Sequence, residues 1–349
     1  DPMVSAIAAN IIAIAALLFV PLAYWCRSRT IGILSILLTV LAYSSQIFNQ
    51  ISQPAVFEQN FVGWMIVEYM PIAAVFLFMP LAYRLRSRLI FVGAALGIVV
   101  GLSRSIVSLI DFNLPWYFPG AIGTALLPAL LWVYDDALLN SQWLRWMGGR
   151  PDSLGFKPIA FKPFKPLAQG LAIIFLTISC YSLSFYGAWG WQDRAIDRWP
   201  ATFQQWPSLV NVLLFTGITS VSWLKRSLQI PSQAQNPLNV VLVLCAIAAL
   251  PIFWHGALGQ IPEIATFTYN ALLFLLAAGL IRESLEKSHR LPFWSGIFLL
   301  FLQIISRLFE YNTGLLLKAF VFALCGIGVI VAGLWFERYM QTSHPDASN

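Results

Sequence analysis

Six charged residues lie inside or at the ends of long apolar segments, where a charge is costly. They are Glu68, Arg104, Asp111, Arg307, Glu310 and Lys318. A charged side chain at the centre of a membrane helix costs roughly 2.5–3.5 kcal/mol on insertion scales, so each charge needs a partner, water or a function. The acids could exchange protons, and the basic side chains could bind phosphate or carboxylate groups. These six residues are therefore the candidate ligand-binding residues.

The composition requires the elements that carry these charges to be membrane helices. Of the 349 residues, 59% are hydrophobic and only 10% are charged, whereas a soluble domain averages roughly 25% charged residues. Continuous apolar runs of about 20 residues have the length of a spanning helix, and in hydrocarbon only helices and closed barrels satisfy every backbone polar group. The sequence therefore predicts an all-α fold, a polytopic transmembrane helix bundle.

Eleven apolar runs predict about eleven spans, arranged as helical hairpins. The runs lie at residues 3–26, 31–51, 62–83, 89–110, 116–139, 167–187, 206–224, 238–254, 264–281, 292–309 and 315–336. Basic residues concentrate in the connections after the odd-numbered runs, such as Arg84, Arg86 and Arg88 after the third. Because cytoplasmic loops are enriched in Lys and Arg, this alternation predicts an N-terminus outside and a C-terminus in the cytoplasm.

The longest connection, residues 140–166, is a basic linker that divides the chain into two predicted halves. Residues 3–139 would form a five-span half, residues 167–338 a six-span half, and residues 339–349 a tail. Residues 19–29 and 78–88 share the pattern Phe-X-Pro-Leu-Ala-Tyr-X-X-Arg-Ser-Arg. The first half is therefore expected to contain a repeated helical hairpin.

The fourth run indicates how some of the charges could converge. Its small residues form a ridge at Gly93, Gly97 and Gly101. Such a ridge allows close helix contact, and the same stripe continues to Arg104, Ser108 and Asp111. The face that packs into the bundle would then carry the charges, which favours an outward-facing charged pocket. In the alternative, Arg104 reaches the outer headgroups, and Arg307 with Glu310 forms only a structural i,i+3 pair.

The sequence contains no recognisable pattern for a metal, a cofactor or a common soluble enzyme. The four cysteines form no CxxC pair, and the three histidines are not clustered. Walker A, HExxH and GxSxG motifs are missing. Asp135 and Asp136 lack a second acid at helical spacing, so a solvated helix end is favoured over a metal site. The sequence thus predicts no metal and no cofactor, and it favours a protein that is not an enzyme.

Residues 306–320 read Ser-Arg-Leu-Phe-Glu-Tyr-Asn-Thr-Gly-Leu-Leu-Leu-Lys-Ala-Phe, and a glycine-rich run then ends in Phe-Glu-Arg at 336–338. This end of the chain resembles an uncharacterised family of bacterial multipass membrane proteins. Its members finish with an aromatic–acid–aromatic turn, a glycine-rich last span and a terminal Glu-Arg. The resemblance implies a multipass protein of the bacterial cytoplasmic (inner) membrane, and it supplies no catalytic residues.

These observations favour a permease, or a protein that binds a small molecule or a lipid headgroup. Hairpin repeats, prolines inside apolar runs (Pro71 and Pro128) and intramembrane charges are typical of secondary transporters. The first alternative is a membrane scaffold or assembly subunit, which would bind another membrane protein. The second is an intramembrane enzyme acting on a lipid-linked substrate at the outer leaflet. Membrane lipids are expected partners, and nucleic acid is not, because the net charge of +6 is spread over short loops.

Overall fold

The computed structural model of the chain is all-α, as the sequence predicts. It describes residues 2–52, 60–112, 114–136, 164–189, 206–229, 236–287, 290–311 and 314–343. Within them the helices are α1 (Pro2–Cys26), α2 (Arg29–Ser52), α3 (Phe61–Leu85), α4 (Arg88–Val107), α5 (Tyr117–Val133), α6 (Lys165–Leu183), α7 (Trp206–Gln229), α8 (Asn236–Ala257), α9 (Pro262–Lys287), α10 (Arg290–Glu310) and α11 (Leu315–Ser343). Short 3-10 turns follow α4 at Ser108–Phe112 and α6 at Tyr186–Trp189.

Ten helices in the described part of the chain are long and apolar enough to cross a membrane, by length and composition. The exception is α5, which has 17 residues and ends at Val133, six residues before the predicted end. At 1.5 Å per residue α5 is about 26 Å long, somewhat shorter than a hydrocarbon layer of about 30 Å. A multipass membrane helix bundle is therefore confirmed, whereas the side on which each terminus lies stays a prediction.

Helix α3 changes its winding between two prolines. It is α-helical over Phe61–Ala73, π-helical over Ala74–Phe78 and α-helical again over Met79–Leu85. Pro71 and Pro80 lack an N–H group, and each proline ring crowds the carbonyl of the preceding turn. The wider π turn accommodates this disruption. In addition, the Tyr24 hydroxyl of α1 donates a hydrogen bond of 2.8 Å to the Leu77 carbonyl oxygen.

The two copies of the repeated pattern form turns with the same backbone. Arg27, between α1 and α2, and Arg86, between α3 and α4, both have a φ of 49°, in the left-handed region that residues other than glycine rarely adopt. Ser28 and Ser87 follow them, and each hydroxyl accepts a bond of 3.5 Å from the backbone N–H three residues later. The shared pattern thus encodes one turn twice, while a repeat of the whole hairpin stays a prediction.

The chain packs into two compact units. The first comprises Asp1–Leu176 and Ala195–Ala257, and the second comprises Thr177–Arg194 and Leu258–Asn349. These units are defined by packing, whereas the predicted halves, residues 3–139 and 167–338, are defined by chain order. The division into those halves stays a prediction. Residues 137–163 of the predicted linker and residues 344–349 of the predicted tail lie outside the described residues.

Helix α4 is central to the first unit, because α2, α3, α5 and α7 all pack against it. The glycine ridge makes this possible. A Cβ atom at Gly93 would lie 2.7 Å from a side-chain atom of Ile36, and one at Gly101 would lie 2.8 Å from the Cδ atom of Pro71. The close contact that the ridge predicts is therefore present, and it fixes the position of Arg104, one turn after Gly101.

In the second unit, α9 packs along α10, and α11 contacts α10 near one end. There the ring of Phe336 stacks on Phe293 with centroids 4.1 Å apart, and Arg290 forms an ion pair of 3.0 Å with Glu337. The remaining apolar side chains of α11 are largely exposed. A helix that is apolar on all sides and has few protein neighbours suits a lipid environment.

Candidate functional site

The six predicted site residues fall into two groups, one in each compact unit. Glu68, Arg104 and Asp111 belong to the first unit, and the second contains Arg307, Glu310 and Lys318. Asp111 lies in the 3-10 turn after α4, and its side chain is outside the described part of the structure. The hypothesis of a single charged pocket formed by all six stays a prediction.

Glu68 is a buried carboxylate inside a candidate span. It lies on α3, three residues before Pro71, and is 5% exposed. Ser208 of α7, which has no exposed surface, donates a hydrogen bond to its Oε2 atom. Because a polar group withdrawn from water costs free energy unless it is hydrogen-bonded, Ser208 contributes to holding Glu68 at this depth.

Asn211 of α7 connects Glu68 to α4. Its Nδ2 atom donates to the main-chain carbonyl oxygen of Glu68 at 2.7 Å and to the Ser105 hydroxyl oxygen at 3.1 Å. Since a carbonyl oxygen can only accept, the amide orientation of Asn211 follows from this contact. The Oδ1 atom of Asn211 is buried and has no hydrogen-bond partner among the described residues.

Tyr43 and Arg104 complete this group of side chains. Tyr43 of α2 is 7% exposed, and its hydroxyl is buried without a hydrogen-bond partner in the described part of the chain. The charges of Arg104 and Glu68 both act on that hydroxyl. Arg104 is half-buried and donates to the Ser108 hydroxyl one turn along α4. The Glu68 cluster is defined here as Tyr43, Glu68, Arg104, Ser105, Ser208 and Asn211.

Three amide side chains form a closed hydrogen-bonded ring about two helical turns before Glu68 along α3. Asn10 donates to Asn60 at 3.1 Å, Asn60 donates to Gln46 at 3.3 Å, and Gln46 donates to Asn10 at 2.8 Å. Asn60 also caps α3 by accepting from the backbone N–H of Gly63 at 3.0 Å. This amide ring joins α1 and α2 to the start of α3.

In the second unit, Arg307 and Glu310 form an ion pair whose side chains are 17% and 15% exposed. Arg307 Nη2 also donates to the Ser184 hydroxyl oxygen at 2.6 Å, and its guanidinium carbon lies 4.5 Å from the centroid of the Phe185 ring. Glu310 Oε1 accepts from the backbone N–H of Tyr186 at 2.6 Å. The pair therefore fastens the turn after α6 to the end of α10. This contact is what the alternative in the sequence analysis predicts, namely that Arg307 and Glu310 form a structural i,i+3 pair.

Lys318 lies near the start of α11, with its Nζ atom 5.4 Å from the centroid of the Phe309 ring. Phe309 and Glu310 border an open groove of about 610 Å³, whose other walls come from α10 and from the segment 181–188. Apolar and aromatic side chains form most of these walls. The groove thus has the surface character expected beside lipid chains.

Asp136 holds the start of another helix. Its carboxylate accepts from the backbone N–H groups of Phe164 at 3.2 Å and Lys165 at 3.0 Å, which are the first free donors of α6. The Tyr83 hydroxyl also donates to Asp136, at 2.5 Å, and shares a hydrogen bond with the Tyr134 hydroxyl. Asp136 therefore serves as a helix cap, a role that the sequence analysis did not include, and its side chain remains half-buried after the end of α5.

The sequence did not single out the neutral members of the Glu68 cluster, because only charged residues stand out clearly in apolar runs. Ser208 and Asn211 lie one helical turn apart, and Thr219 continues their buried face two turns later. This spacing of polar residues in an apolar run was the available signal. Among the residues that the structure describes, no three His, Cys, Asp or Glu side chains group as metal ligands would.

Neither a family model, nor a curated protein, nor a solved structure matches the chain. The helices and their apolar surfaces show a multipass helical membrane protein, and no family is identified. The function must therefore be inferred from the geometry of the chain itself.

Proposed function

We propose that the protein is a permease, or a binding protein for a small polar molecule or lipid headgroup, and that the Glu68 cluster is its ligand-binding site. The observation that carries the proposal is the environment of Glu68. Glu68 is buried inside a candidate span, and beside it the Tyr43 hydroxyl and Asn211 Oδ1 lack hydrogen-bond partners among the described residues. Ionisable residues within spans are rare, and they commonly mark substrate or ion pathways.

The interrupted helix α3 supports this assignment. Glu68 precedes Pro71, and the π turn Ala74–Phe78 follows within one helical turn. Discontinuous helices surround the binding sites of many secondary transporters, because freed backbone groups are tolerated where they face a polar site. π-Helical turns are also frequent at functional sites. A change in the winding of α3 would move Glu68 relative to Ser208 and Asn211.

The predicted topology makes the cluster face outward. With the N-terminus outside, Glu68 lies in the outer part of α3, and the amide ring lies between the cluster and the outer end of the bundle. The resemblance of residues 306–338 to a bacterial membrane family favours the bacterial inner membrane as the location. A ligand would then reach the cluster from the outer side.

A scaffold or assembly subunit is the second candidate, and the second compact unit favours it. Arg307 and Glu310 are engaged with each other and with the turn after α6, so these charges fasten helices. The exposed surface of α11 would be available to another membrane protein as well as to lipid. No contact in the described residues specifically favours the enzyme alternative.

The test is a ligand screen on the purified protein, followed by uptake into proteoliposomes. Thermal shifts would be recorded with amino acids, sugars, glycerol phosphate and phosphoethanolamine, and each compound that stabilises the protein would be tested for uptake. Tyr43→Phe should abolish the stabilisation, and Tyr24→Phe, a matched change outside the cluster, should retain it. Stabilisation that persists in Tyr43→Phe would remove the Glu68 cluster as the site. A partner protein that survives mild detergent, with no stabilising compound, would favour the scaffold.

A further inference from the structure

We propose that the second unit binds one anionic phospholipid, with an acyl chain in a cleft between α10 and α11 and the phosphate group at Lys318. The proposal goes beyond the Glu68 cluster, because every residue that carries it belongs to the second unit. It joins two observations. Neighbouring helices leave an apolar cleft open, and a positive charge lies at one end of that cleft.

Helices α10 and α11 touch near both of their ends and separate between them. In the first turn of α10, Phe293 stacks on Phe336 of α11. In the last turn of α10, the centroid of the Phe309 ring lies 6.4 Å from that of Phe322. Between these contacts lies an open cleft of about 430 Å³, called here the α10–α11 cleft.

The walls of the α10–α11 cleft are almost entirely apolar. They include Phe301 and Ile304 of α10, and Val321, Cys325 and Gly328 of α11. Empty spaces are rare in close-packed proteins, because atoms that line a gap lose their dispersion contacts. Water is a poor occupant of a space without polar partners. Within a bilayer, the hydrocarbon chain of a lipid matches these walls.

Lys318 continues the face of α11 that lines the cleft. It precedes Val321 by three residues and Cys325 by seven, so the three side chains lie on one side of the helix. Among residues 318–330, all but four are exposed. The four partly buried residues are Lys318, Val321, Cys325 and Val329. Lys318 is therefore one helical turn from the apolar part of the cleft, at the end where α11 begins.

Lys318 carries its charge inside a candidate span without an ion pair among the described residues. Its Nζ atom lies 5.4 Å from the centroid of the Phe309 ring. Glu310, the acid nearest to it in the sequence, pairs with Arg307. The exposed Leu316 shows that apolar surface continues beyond Lys318 toward the start of α11. A lysine at such a depth extends its flexible side chain toward the headgroups, where a lipid phosphate would neutralise it.

An anionic phospholipid satisfies the cleft and the charge together. A neighbouring apolar helix or an uncharged lipid would fill the cleft but leave Lys318 without an anion. Inorganic phosphate would neutralise Lys318 but leave the cleft empty. A zwitterionic lipid carries its own ammonium group beside the phosphate, which weakens the attraction to a lysine. In the predicted topology the lipid would belong to the outer leaflet.

The experiment is native mass spectrometry of the delipidated protein in detergent with equal amounts of phosphatidylglycerol and phosphatidylcholine. The wild type should retain one phosphatidylglycerol with a preference of about fivefold, the contribution of one basic residue near anionic lipid. Lys318→Gln should reduce the preference to about one. Lys225→Gln is the matched control, because Lys225 is exposed near the end of α7, and it should keep the preference. Equal retention of both lipids by the wild type, or an unchanged preference in Lys318→Gln, would overturn the proposal.

Two glycines of α11 test the acyl chain separately from the charge. A Cβ atom at Gly326 or at Gly328 would meet no atom within 4 Å, so leucine can be accommodated at both positions. Only Gly328 of the two lines the cleft. Gly328→Leu should fill the cleft and remove most of the retained lipid, whereas Gly326→Leu should retain it. Equal retention by the two variants would overturn the cleft as the acyl-chain site. A lipid-free dimer that Gly328→Leu dissociates would also overturn the proposal and assign the cleft to a second copy of the chain.

Discussion

The Arg307–Glu310 pair of the second unit and the Glu68 cluster of the first unit each hold a carboxylate largely away from water. The two carboxylates are stabilised by different kinds of contact. Glu310 receives an arginine and a backbone N–H, and Arg307 receives a hydroxyl and an aromatic ring. Glu68 accepts a hydrogen bond from Ser208, and the Tyr43 hydroxyl and Asn211 Oδ1 of the same cluster lack hydrogen-bond partners among the described residues. Arg307 Nε also lacks a hydrogen-bond partner among the described residues, so the difference lies in the kind of contact. An acid and an arginine one turn apart on the same helix fasten that helix to a neighbouring turn, whereas polar side chains that converge from α2, α4 and α7 around Glu68 are available to a ligand.

Glutamine in place of each glutamate gives the largest expected contrast between the two regions. Glu310→Gln leaves the guanidinium of Arg307 partly buried without its counter-charge, which should cost about 3–5 kcal/mol of stability. Glu68→Gln keeps an amide oxygen that can still accept from Ser208, so this contact should survive and the loss of stability should be smaller than that of Glu310→Gln. Unfolding free energies in mixed micelles would measure both. Equal losses of stability in the two variants would contradict the contrast between a structural ion pair and a ligand-binding site.

The double variant Arg307→Met/Glu310→Met is the control for the first contrast. Replacing both partners of a buried ion pair with apolar side chains of similar volume is often neutral or stabilising. The double variant should therefore recover most of the stability that Glu310→Gln loses. If it stays as unstable as the single variant, the contribution of the pair would come from its contacts with Ser184 and Tyr186 rather than from the charges.

The contact of α3 with α4 provides a second, smaller contrast. Gly101→Ala would place a Cβ atom 2.8 Å from the rigid ring of Pro71, and such overpacking costs typically about 1–3 kcal/mol. It should also displace Glu68, three residues away, and weaken ligand binding. Gly326→Ala on α11 meets no atom within 4 Å and should change stability by less than about 1 kcal/mol. Thermal unfolding of both variants with equal midpoints would contradict this packing argument.

The smallest contrast compares two tyrosine hydroxyls. The direction of the change in stability distinguishes them better than its magnitude. Tyr24→Phe removes a donor to the Leu77 carbonyl oxygen and should destabilise the protein by about 1 kcal/mol. Tyr43→Phe removes a buried hydroxyl without a described partner, so it should be neutral or stabilising by up to about 1 kcal/mol. A loss of stability in Tyr43→Phe would show that its hydroxyl is satisfied in the membrane.

Hydropathy and small-residue spacing predicted the helices and one of their contacts, but they could not predict the partners of Glu68. The glycine ridge of α4 indicated a close neighbour because a missing side chain is visible in the sequence. Ser208 is 140 residues from Glu68, and the hydropathy of α7 does not specify which helix it meets. Neutral hydroxyl and amide groups also carry a smaller insertion cost than charges, so they stand out less in an apolar run.

Asp136 illustrates a different limit of the sequence. An acid after an apolar run is equally consistent with a solvated helix end and with a cap for a distant helix. The backbone donor that Asp136 meets at Phe164 lies 28 residues later, and only the fold determines that meeting. Arg307 and Glu310, by contrast, were foreseen as a possible structural pair because i,i+3 spacing on one helix is visible without a fold.

The two left-handed arginines, Arg27 and Arg86, have a consequence for how the chain enters a membrane. A side chain in this backbone conformation costs roughly 1–2 kcal/mol relative to the right-handed one, and glycine largely avoids that cost. Glycine would relax both turns, but each turn would then lose a positive charge of the kind that retains a loop on the side of synthesis. In the predicted topology both turns lie on the cytoplasmic side, so each arginine would keep a positive charge there at the expense of a strained backbone.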